Sequence, residues 1–431
     1  MKAYLRLWLI ATALLLLLVA GFTLVVDPYG IFRLVDAPGF NSVKPQAGNH
    51  GAMVKAYQVT RVKPRALILG NSRAEVGFDP EHRAWPESAR PVFNLALPGT
   101  GTAASLRYLR HSLADLSDAD RPPPGIVVWG IDLMDFLVDE TKPRPGRSTN
   151  QQDRRLLTLP DGSRNPGRLF QRVKDYGEAT LTLGALLDSL ETLRAQGDPH
   201  ARNLTPLGFN PMCDYFRIAA NEGYWALFRQ RDIENLRAYL RRPKSLHDAT
   251  GPSSAALDDF REVLDLCRRN NIALKLVIYP YHARLLEILR IAGHLPVFEA
   301  WQRELVHILR EEARRSGGAP FPLWDFSGFH EYSMEAVPPK GDRSSAMRWY
   351  WEAGHFKREL VDVILERLFD TGNSMVGFGV RLTSENLEDQ FALRRQGYQE
   401  YTRRSPEDVQ ELEEFASNRG HGRVPSVARG D

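Results

Sequence analysis

The hydrophobic and polar positions of the chain follow two different patterns. Residues Leu7 to Val26 contain no charged side chain, and the basic residues Lys2 and Arg6 precede them. This uncharged run of 20 residues, at about 1.5 Å per helical residue, matches a hydrocarbon core of roughly 30 Å. The pattern predicts one membrane-spanning helix within residues 1–29 and a juxtamembrane segment over residues 30–59.

A cleaved signal peptide is the alternative interpretation of this segment. Such a peptide usually has an apolar region of about 7–15 residues that ends in a small-x-small cleavage site. Here the apolar run continues from Gly21 to Val26 without such a site, which favours an uncleaved anchor. The basic residues at the amino end predict a cytoplasmic N-terminus, so that the chain from residue 30 onward lies outside the cytoplasm.

Beyond residue 59, short apolar runs alternate with amphipathic segments. The apolar runs predict strands at residues 66–69, 92–97, 126–129, 272–279 and 322–326. Apolar residues at helical spacing lie between them, as in the stripe Leu106, Leu109, Leu113 and Leu116 and the stripe Phe298, Trp301, Leu305 and Ile308. This alternation predicts an α/β fold with a mainly parallel sheet that helices cover on both faces.

Two intervals depart from this alternation. Residues from about 139 to 252 begin with a stretch rich in Pro, Arg, Ser and Asn and continue as helical segments without a clear strand. They predict a helical insertion, which is either a lid beside the carboxyl edge of the sheet or an elaboration without substrate contact. Residues 371–431 predict a tail with two helices, one of which starts at Ser405-Pro406. We expect the end of this tail, from Gly420, to be disordered.

Composition narrows the choice of partners. Lys and Arg number 56 against 53 Asp and Glu, so the formal charge is only +3, and no bulk charge asymmetry indicates nucleic acid. The two cysteines, Cys213 and Cys267, are too few for a disulfide framework and are not spaced as a metal site. A single disulfide between Cys213 and Cys267 is left as an alternative.

The first candidate for chemistry is Ser72. The buried-strand pattern of residues 66–69 leads directly into Gly70-Asn71-Ser72, and parallel α/β sheets present nucleophiles at this carboxyl edge. The second glycine of Gly-x-Ser-x-Gly is replaced by Ala74, which excludes the nucleophile elbow of α/β-hydrolases. A serine after a strand is most often a helix N-cap, and this simpler role is the alternative for Ser72.

Four short blocks occur in a characteristic order: Gly70-Asn71-Ser72, Asn94-Leu-Ala-Leu-Pro-Gly99, Gly130-Ile-Asp132 and Glu352-x-x-His355. In this order the chain resembles the SGNH/GDSL hydrolase superfamily, and more narrowly its membrane-anchored bacterial branch, which includes alginate O-acetyltransferase-like and D-alanine-transfer (DltD-like) proteins. The resemblance covers roughly residues 60–135 and 270–370. It implies a three-layer, flavodoxin-like SGNH domain over residues 60–370, interrupted by the helical insertion.

The resemblance also implies residue roles. Ser72 would be the nucleophile and His355 the general base, and Glu352 would orient His355 where the family more often has aspartate. The backbone amides of Ser72 and Gly99 would donate to the oxyanion. His355 could instead be a surface histidine that caps a helix.

Asp132 departs from the family pattern. It occupies the position where the family usually has an asparagine whose side-chain amide donates to the oxyanion. An ionised aspartate cannot donate a hydrogen bond and would repel negative charge. Either Asp132 is protonated, or the donor comes from elsewhere, or hydrolysis is not the main activity; Asp132 and Asp135 could also simply end a strand and cap the next segment.

Other positions are candidate substrate contacts. Arg73 could hold an anionic or hydroxyl-rich substrate or pair with a carboxylate, Asn94 belongs to the second block, and His282 directly follows a predicted strand.

Gly99 to Ala104 also matches the G-x-G-x-x-A form of a dinucleotide fingerprint. The acidic residue that this fingerprint needs is not clearly placed, and an extracytoplasmic location argues against a nicotinamide site.

Together these features predict a serine esterase or O-acyltransferase, with acetyl as the acyl group, that acts on a cell-envelope or exported carbohydrate through an acyl-serine intermediate. It would be a single-pass protein of the bacterial inner membrane with a periplasmic domain, and it would require no metal or cofactor. The expected partners are the bilayer through residues 7–26, the carbohydrate, and membrane proteins of envelope export or acyl donation. The alternative is a catalytically weakened SGNH scaffold that binds polysaccharide or export partners, which Asp132 favours.

Overall fold

The computed structural model describes residues 1–114, 123–143, 153–371 and 378–420, with the side chains of 418–420 left out. Its centre is a six-stranded sheet in the order β2-β1-β3-β4-β5-β8, and a separate two-stranded sheet pairs β6 with β7. The strands are β1 (Ala66–Leu69), β2 (Val92–Asn94), β3 (Ile126–Ile131), β4 (Ala273–Ile278), β5 (Leu323–Asp325), β6 (Tyr350–Glu352), β7 (His355–Phe356) and β8 (Val380–Leu382).

The sheet is mainly parallel, which confirms the predicted α/β class. Strands β1 to β5 run parallel to their neighbours, and β8 pairs antiparallel with β5. All four residues of β1 are fully buried, as expected for a strand that has helices on both faces. The sequence did not predict β8, because three residues at the edge of a sheet leave little hydrophobic pattern.

The helices of the described residues have these bounds: α1 (Lys2–Val26), α2 (Gly51–Val62), α3 (Ser72–Gly77), α4 (Thr102–Ala114), α5 (Arg168–Leu181), α6 (Leu183–Arg194), α7 (Cys213–Glu222), α8 (Tyr224–Leu240), α9 (Ala255–Arg269), α10 (Ala283–Ile291), α11 (Leu295–Ser316), α12 (Arg358–Leu368), α13 (Leu387–Arg404) and α14 (Pro406–Gly420). The predicted stripe of α11, from Phe298 to Ile308, is buried in the core. In α4, Leu106 and Leu109 are buried, whereas Leu116 lies outside the described residues.

The interval predicted as a helical insertion contains α5 to α8. Within its described part, residues 139–143 and 153–252, no segment adds a strand to the central sheet. Helix α8 packs against β6 and α10, whereas α5 and α6 pack against α1. The insertion therefore contacts the body of the protein at one end and the N-terminal helix at the other.

The C-terminal segment packs onto the core. Phe391 of α13 and Leu412 of α14 are fully buried, and Arg394 forms an ion pair with Asp325 at 3.0 Å. Pro406 is the first residue of α14, as expected for proline at the first helical position. The predicted disorder from Gly420 onward falls almost entirely on residues 421–431, which lie outside the described residues.

Helix α1 is long and apolar enough to cross a membrane, with a mean hydropathy of 2.8 over its most apolar window, little of which is buried. A signal sequence near an N-terminus also meets these criteria of length and hydropathy. Cys213 and Cys267 are free cysteines, and burial raises the pKa of the Cys267 thiol to about 12. The two thiols therefore do not form a disulfide in this structure.

Candidate active site

Ser72 is placed by the turn that connects β1 to α3. Gly70 has a φ of 141°, and a side chain there would lie 2.6 Å from the hydroxyl of Tyr279, so only glycine fits this turn. The side chain of Asn71 then accepts a hydrogen bond from the amide of Arg73 at 3.1 Å and caps α3. Ser72 is thus the first residue of the helix rather than its cap.

Glu352 and His355 are placed by the hairpin of β6 and β7. They pair with each other across the turn formed by Ala353 and Gly354. The hairpin lies close against α3, where a side chain at Gly77 would come within 2.2 Å of the Phe356 ring. The absence of a side chain at Gly77 lets the hairpin approach Ser72.

The three residues form one hydrogen-bonded chain. The Nε2 atom of His355 lies 2.9 Å from the hydroxyl oxygen of Ser72, and Nδ1 of the same ring bonds to the Glu352 carboxylate. Since an ionised carboxylate only accepts, Nδ1–H donates to Glu352 and Nε2 accepts from the serine. The side chain of Glu352 is 1% exposed and that of His355 is 23% exposed, so the ring remains partly accessible beside Ser72.

The environment of Glu352 favours its ionised form. Burial alone would raise the pKa of this carboxyl, but the charge and hydrogen bond of His355, the amide of Gly354 and the charge of Arg231 lower it below its ordinary value. The amide of Gly354 donates to Glu352 at 2.7 Å. Glu352 is therefore a carboxylate at neutral pH and can stabilise an imidazolium at His355.

Asp132 lies at the carboxyl end of β3, next to the end of β1. Ligands of open α/β sheets bind where the chain order reverses, as it does between these two strands. The Asp132 carboxylate accepts hydrogen bonds from the amide of Met134 at 3.0 Å and the hydroxyl of Tyr281 at 3.2 Å, and it pairs with Arg73. Its oxygens are thus held by protein donors, which favours an oxyanion donor elsewhere.

Arg73 links this strand end to the hairpin. Its Nε donates to the carbonyl of Gly354 at 2.7 Å while its guanidinium pairs with Asp132. The guanidinium also lies over the ring of Tyr281 at 5.4 Å from the centroid. Arg73 is buried and engaged with protein groups, so its predicted contact with substrate remains a prediction.

Gly99 lies in an exposed turn between β2 and α4 with a φ of 68°. A side chain at this position would have no atom within 4 Å, so the turn is open to solvent. Donation from its amide to an oxyanion remains a prediction.

Asn94 and His282 are sealed inside the protein. The side chain of Asn94 donates to the carbonyls of Ala74 and Phe78 at 2.9 and 3.0 Å. His282 caps α10 through Nδ1, and its Nε2 lies 2.9 Å from the carbonyl of Glu335; burial lowers the pKa of this ring to about 4. Neither side chain reaches solvent in this arrangement, and a substrate contact remains a prediction for both.

Several residues near the site were not singled out from the sequence. Tyr281 bonds to Asp132, one position before the predicted His282. Arg231, on α8 of the insertion, donates to the hydroxyl of Tyr215 at 2.8 Å and acts on Glu352 through its charge. Tyr281 could have been named from the sequence, because it follows the predicted strand that ends at residue 279. No local pattern indicates that Arg231 approaches the hairpin of β6 and β7.

The described residues contain no group of three or more His, Cys, Asp and Glu side chains that could hold a metal ion. No protein-family model matches the chain, and no curated protein sequence matches it. Ser72, His355 and Glu352 form a hydrogen-bonded chain of hydroxyl, imidazole and carboxylate, and such a chain can chemically activate a serine.

Proposed function

We propose that this protein is a membrane-anchored, extracytoplasmic serine esterase or O-acyltransferase of the SGNH type. The observation that carries the proposal is the hydrogen-bonded chain from Ser72 through His355 to Glu352 at the carboxyl edge of a parallel sheet. The strand order 2-1-3-4-5 among the parallel strands is that of flavodoxin-like sheets, which supports the SGNH assignment.

The proposed reaction proceeds in two steps. The Ser72 hydroxyl transfers its proton to Nε2 of His355 and attacks the ester carbonyl, and the leaving alcohol takes that proton as the acyl-serine forms. Water or a sugar hydroxyl then gives its proton to Nε2 and attacks the acyl-serine, and Ser72 regains a proton as the product leaves. Hydrolysis and transfer differ only in the acceptor.

The oxyanion would be stabilised by backbone amides rather than by Asp132. The amide of Ser72 lies at the start of α3, and the amide of Gly99 lies in an exposed turn that follows the neighbouring strand β2. Such donors stabilise charge as it develops on the carbonyl oxygen. Asp132 serves in this proposal as the counter-ion of Arg73, which ties the nucleophile's helix to the hairpin.

The proposed substrate is a cell-envelope or exported carbohydrate that carries or receives an acetyl group. Helix α1 would anchor the protein in the inner membrane, with the domain in the periplasm near partners of export or acyl donation. The alternative function, a polysaccharide-binding scaffold, is favoured by the aspartate at position 132, which supplies no amide donor.

Acyl transfer to Ser72 tests the proposal. The full chain in detergent is incubated with 4-nitrophenyl acetate, and the peptide containing Ser72 is analysed by mass spectrometry for added acetyl. We expect acetylation in the wild type and its loss in Ser72→Ala and His355→Ala. The acetyl group should then leave Ser72 as acetate when water is the acceptor and as acetyl-sugar when oligosaccharides are added. The matched control is Ser344→Ala, because Ser344 is an exposed serine whose hydroxyl donates to Asp342. This variant should be acetylated at Ser72 as the wild type is. Absence of acetylation in folded wild-type protein would favour the scaffold.

A further inference from the structure

Exposed apolar side chains are concentrated in two segments. Beyond α1, the described residues expose twelve large hydrophobic side chains. Nine of these belong to residues 34–40 and to the hairpin of α5 and α6: Leu34, Val35, Phe40, Leu169, Phe170, Val173, Leu181, Leu183 and Leu187. Isolated exposed apolar residues are normal on protein surfaces, but a concentration of this kind indicates an interaction surface. We refer to residues 34–40 and 169–187 as the collar.

The α5–α6 part of the collar lies beside the C-terminal half of α1. Both helices pack against α1, and the hydroxyl of Thr23 donates to the carbonyl of Thr180 at 2.7 Å. Thr23 precedes Asp27, the first charged residue after the apolar run, by about 6 Å at about 1.5 Å per residue. The turn between α5 and α6 therefore lies at the depth where α1 would enter the hydrocarbon.

Residues 34–40 are fixed to the same end of α1. The side-chain amide of Asn41 donates to the carbonyls of Val25, Val26 and Val35 at 3.0, 3.1 and 2.8 Å. A second contact holds the hairpin at this level, because the hydroxyl of Tyr29 donates to Asp188 of α6 at 2.7 Å. Both parts of the collar thus lie around the point where α1 ends.

The apolar side chains of the hairpin also follow helical stripes. On α5, Phe170, Val173 and Leu181 recur at spacings of three and eight, and on α6 Leu183 and Leu187 are one turn apart. Amphipathic helices that lie in the interface of a bilayer turn their apolar face toward the acyl chains. The apolar surface of α1 itself is exposed and continues into the collar.

We propose that the collar is a membrane-contact surface that rests in the outer interface of the same bilayer that α1 crosses. The occupant is lipid rather than a protein, because the collar adjoins a helix whose own exposed apolar surface requires lipid at that depth. The collar adds a second contact to the single anchor and fixes the orientation of the domain relative to the membrane. The inference rests on the anchoring part of the proposed function and is independent of the triad.

Quenching by lipid tests this surface in the full chain. Single cysteines are introduced at Leu187, in the collar, and at Leu393, on α13, in a Cys213→Ser, Cys267→Ala background, and each is labelled with an environment-sensitive fluorophore. The two positions are matched, since their side chains are 55% and 56% exposed. The labelled proteins are reconstituted into phosphatidylethanolamine–phosphatidylglycerol vesicles with and without phospholipid that carries a nitroxide on its acyl chain. Leu14→Cys, within α1, reports separately on the anchor.

We expect the label at position 187 to be about twofold or more dimmer with nitroxide lipid, as for a side chain some 5–10 Å into the interface, and the label at 393 to be unchanged. Equal fluorescence at 187 with and without nitroxide lipid overturns the proposal that the collar contacts lipid. If the label is nevertheless shielded from water, the collar contacts a protein partner or a second copy instead. Quenching at position 14 without quenching at 187 leaves the anchor and removes the collar. Quenching at 187 without quenching at 14 would show lipid contact by the collar in a bilayer that α1 does not cross, which overturns the proposal together with the anchor.

Discussion

Two pairs of bonded side chains flank Ser72, and they differ in which polar atoms they leave available. In the pair of Glu352 and His355, the histidine keeps one ring nitrogen for Ser72 and 23% of its side chain is exposed. In the pair of Arg73 and Asp132, the side chains are 11% and 3% exposed, and both groups also bond to protein atoms on neighbouring segments. The first pair keeps a hydrogen bond to Ser72, whereas the polar atoms of the second pair bond to other parts of the protein.

This difference shows that proximity to Ser72 along the chain does not determine which side chain has a polar atom available to it. Arg73 is adjacent to Ser72 in the chain, whereas His355 is 283 residues away. The two pairs differ in burial and in the number of protein atoms to which they bond. A side chain whose polar atoms all bond to the protein holds its neighbours in position. We therefore expect changes to the first pair to reduce chemistry and changes to the second to reduce stability.

The largest expected effect is that of Glu352→Gln. Replacing the carboxylate removes the charge that would stabilise an imidazolium at His355, and a loss of about 10⁴-fold follows when the orienting carboxylate of a serine triad is neutralised. The measurement is the rate of Ser72 acetylation by 4-nitrophenyl acetate. The matched control is Glu335→Gln. The Glu335 carboxylate accepts a hydrogen bond from the amide of Trp349 at 2.9 Å but has no bond to His355. Equal rates in the two variants would contradict the first half of the comparison.

Arg73→Met is expected to destabilise the fold. It leaves the buried carboxylate of Asp132 without its counter-ion, which costs about 3–5 kcal/mol in the free energy of unfolding. Denaturant unfolding in detergent measures this loss, and the double variant Arg73→Met, Asp132→Leu should recover most of it. The control is Arg83→Met, since Arg83 pairs with Glu366 but is 86% exposed, and solvent-exposed ion pairs contribute little to stability. A loss at Arg73 no greater than that at Arg83 would remove the distinction between the pairs.

Asn94→Ala distinguishes a structural role from a substrate contact. The side chain holds the carbonyls of Ala74 and Phe78 beside α3, and leaving buried groups unsatisfied costs about 1–3 kcal/mol. We expect the free energy of unfolding to fall while KM for the ester is unchanged. Asn270→Ala is the comparison, because Asn270 is only partly buried and bonds to one carbonyl, that of Leu266. A raised KM at full stability would instead support the predicted substrate contact of Asn94.

The smallest expected effect concerns Asp135, whose carboxyl accepts from the side-chain amide of Asn71 at 3.1 Å. Burial raises its pKa to about 7 from an ordinary value of 3.8, against the charge of Arg73 and the bond to Asn71. Because the folded state holds this proton more tightly, the stabilisation is complete below about pH 4 and is lost as the pH rises to about 7. Asp135→Asn should therefore gain stability relative to the wild type as the pH rises over that range.

Melting temperatures of both proteins between pH 4 and pH 8 measure this gain. The control is Asp139→Asn, an exposed carboxylate whose pKa is lowered by hydrogen bonds to Thr141. Its substitution should not stabilise the protein as the pH rises. A difference between Asp135→Asn and wild type that does not change with pH would show that the Asp135 carboxyl titrates normally.

The sequence predicted the central strands because buried parallel strands appear as continuous apolar runs, and β1 was predicted with its observed bounds. Ser72, Glu352 and His355 could be named because each lies in a short block whose order is informative. The hairpin that joins two of them was not predicted, since β6 and β7 have three and two residues and carry no periodicity.

The partners of Arg73 and Asp132 could not be read from local patterns either. Their pairing depends on two strands that meet at one sheet edge although the residues are 59 positions apart. The same limit explains why His282 was singled out and Tyr281 was not: one position decides which side chain points toward Asp132, and the end of a strand does not fix that choice.

The most direct test of the triad is labelling of the full chain with a serine-reactive fluorophosphonate, with the modified residue located by mass spectrometry. The account predicts a single adduct on Ser72 in the wild type, and no adduct there in folded His355→Ala protein. Labelling of Ser72 at the same rate with and without His355, or no labelling of folded wild-type protein, would contradict an activated serine at this site.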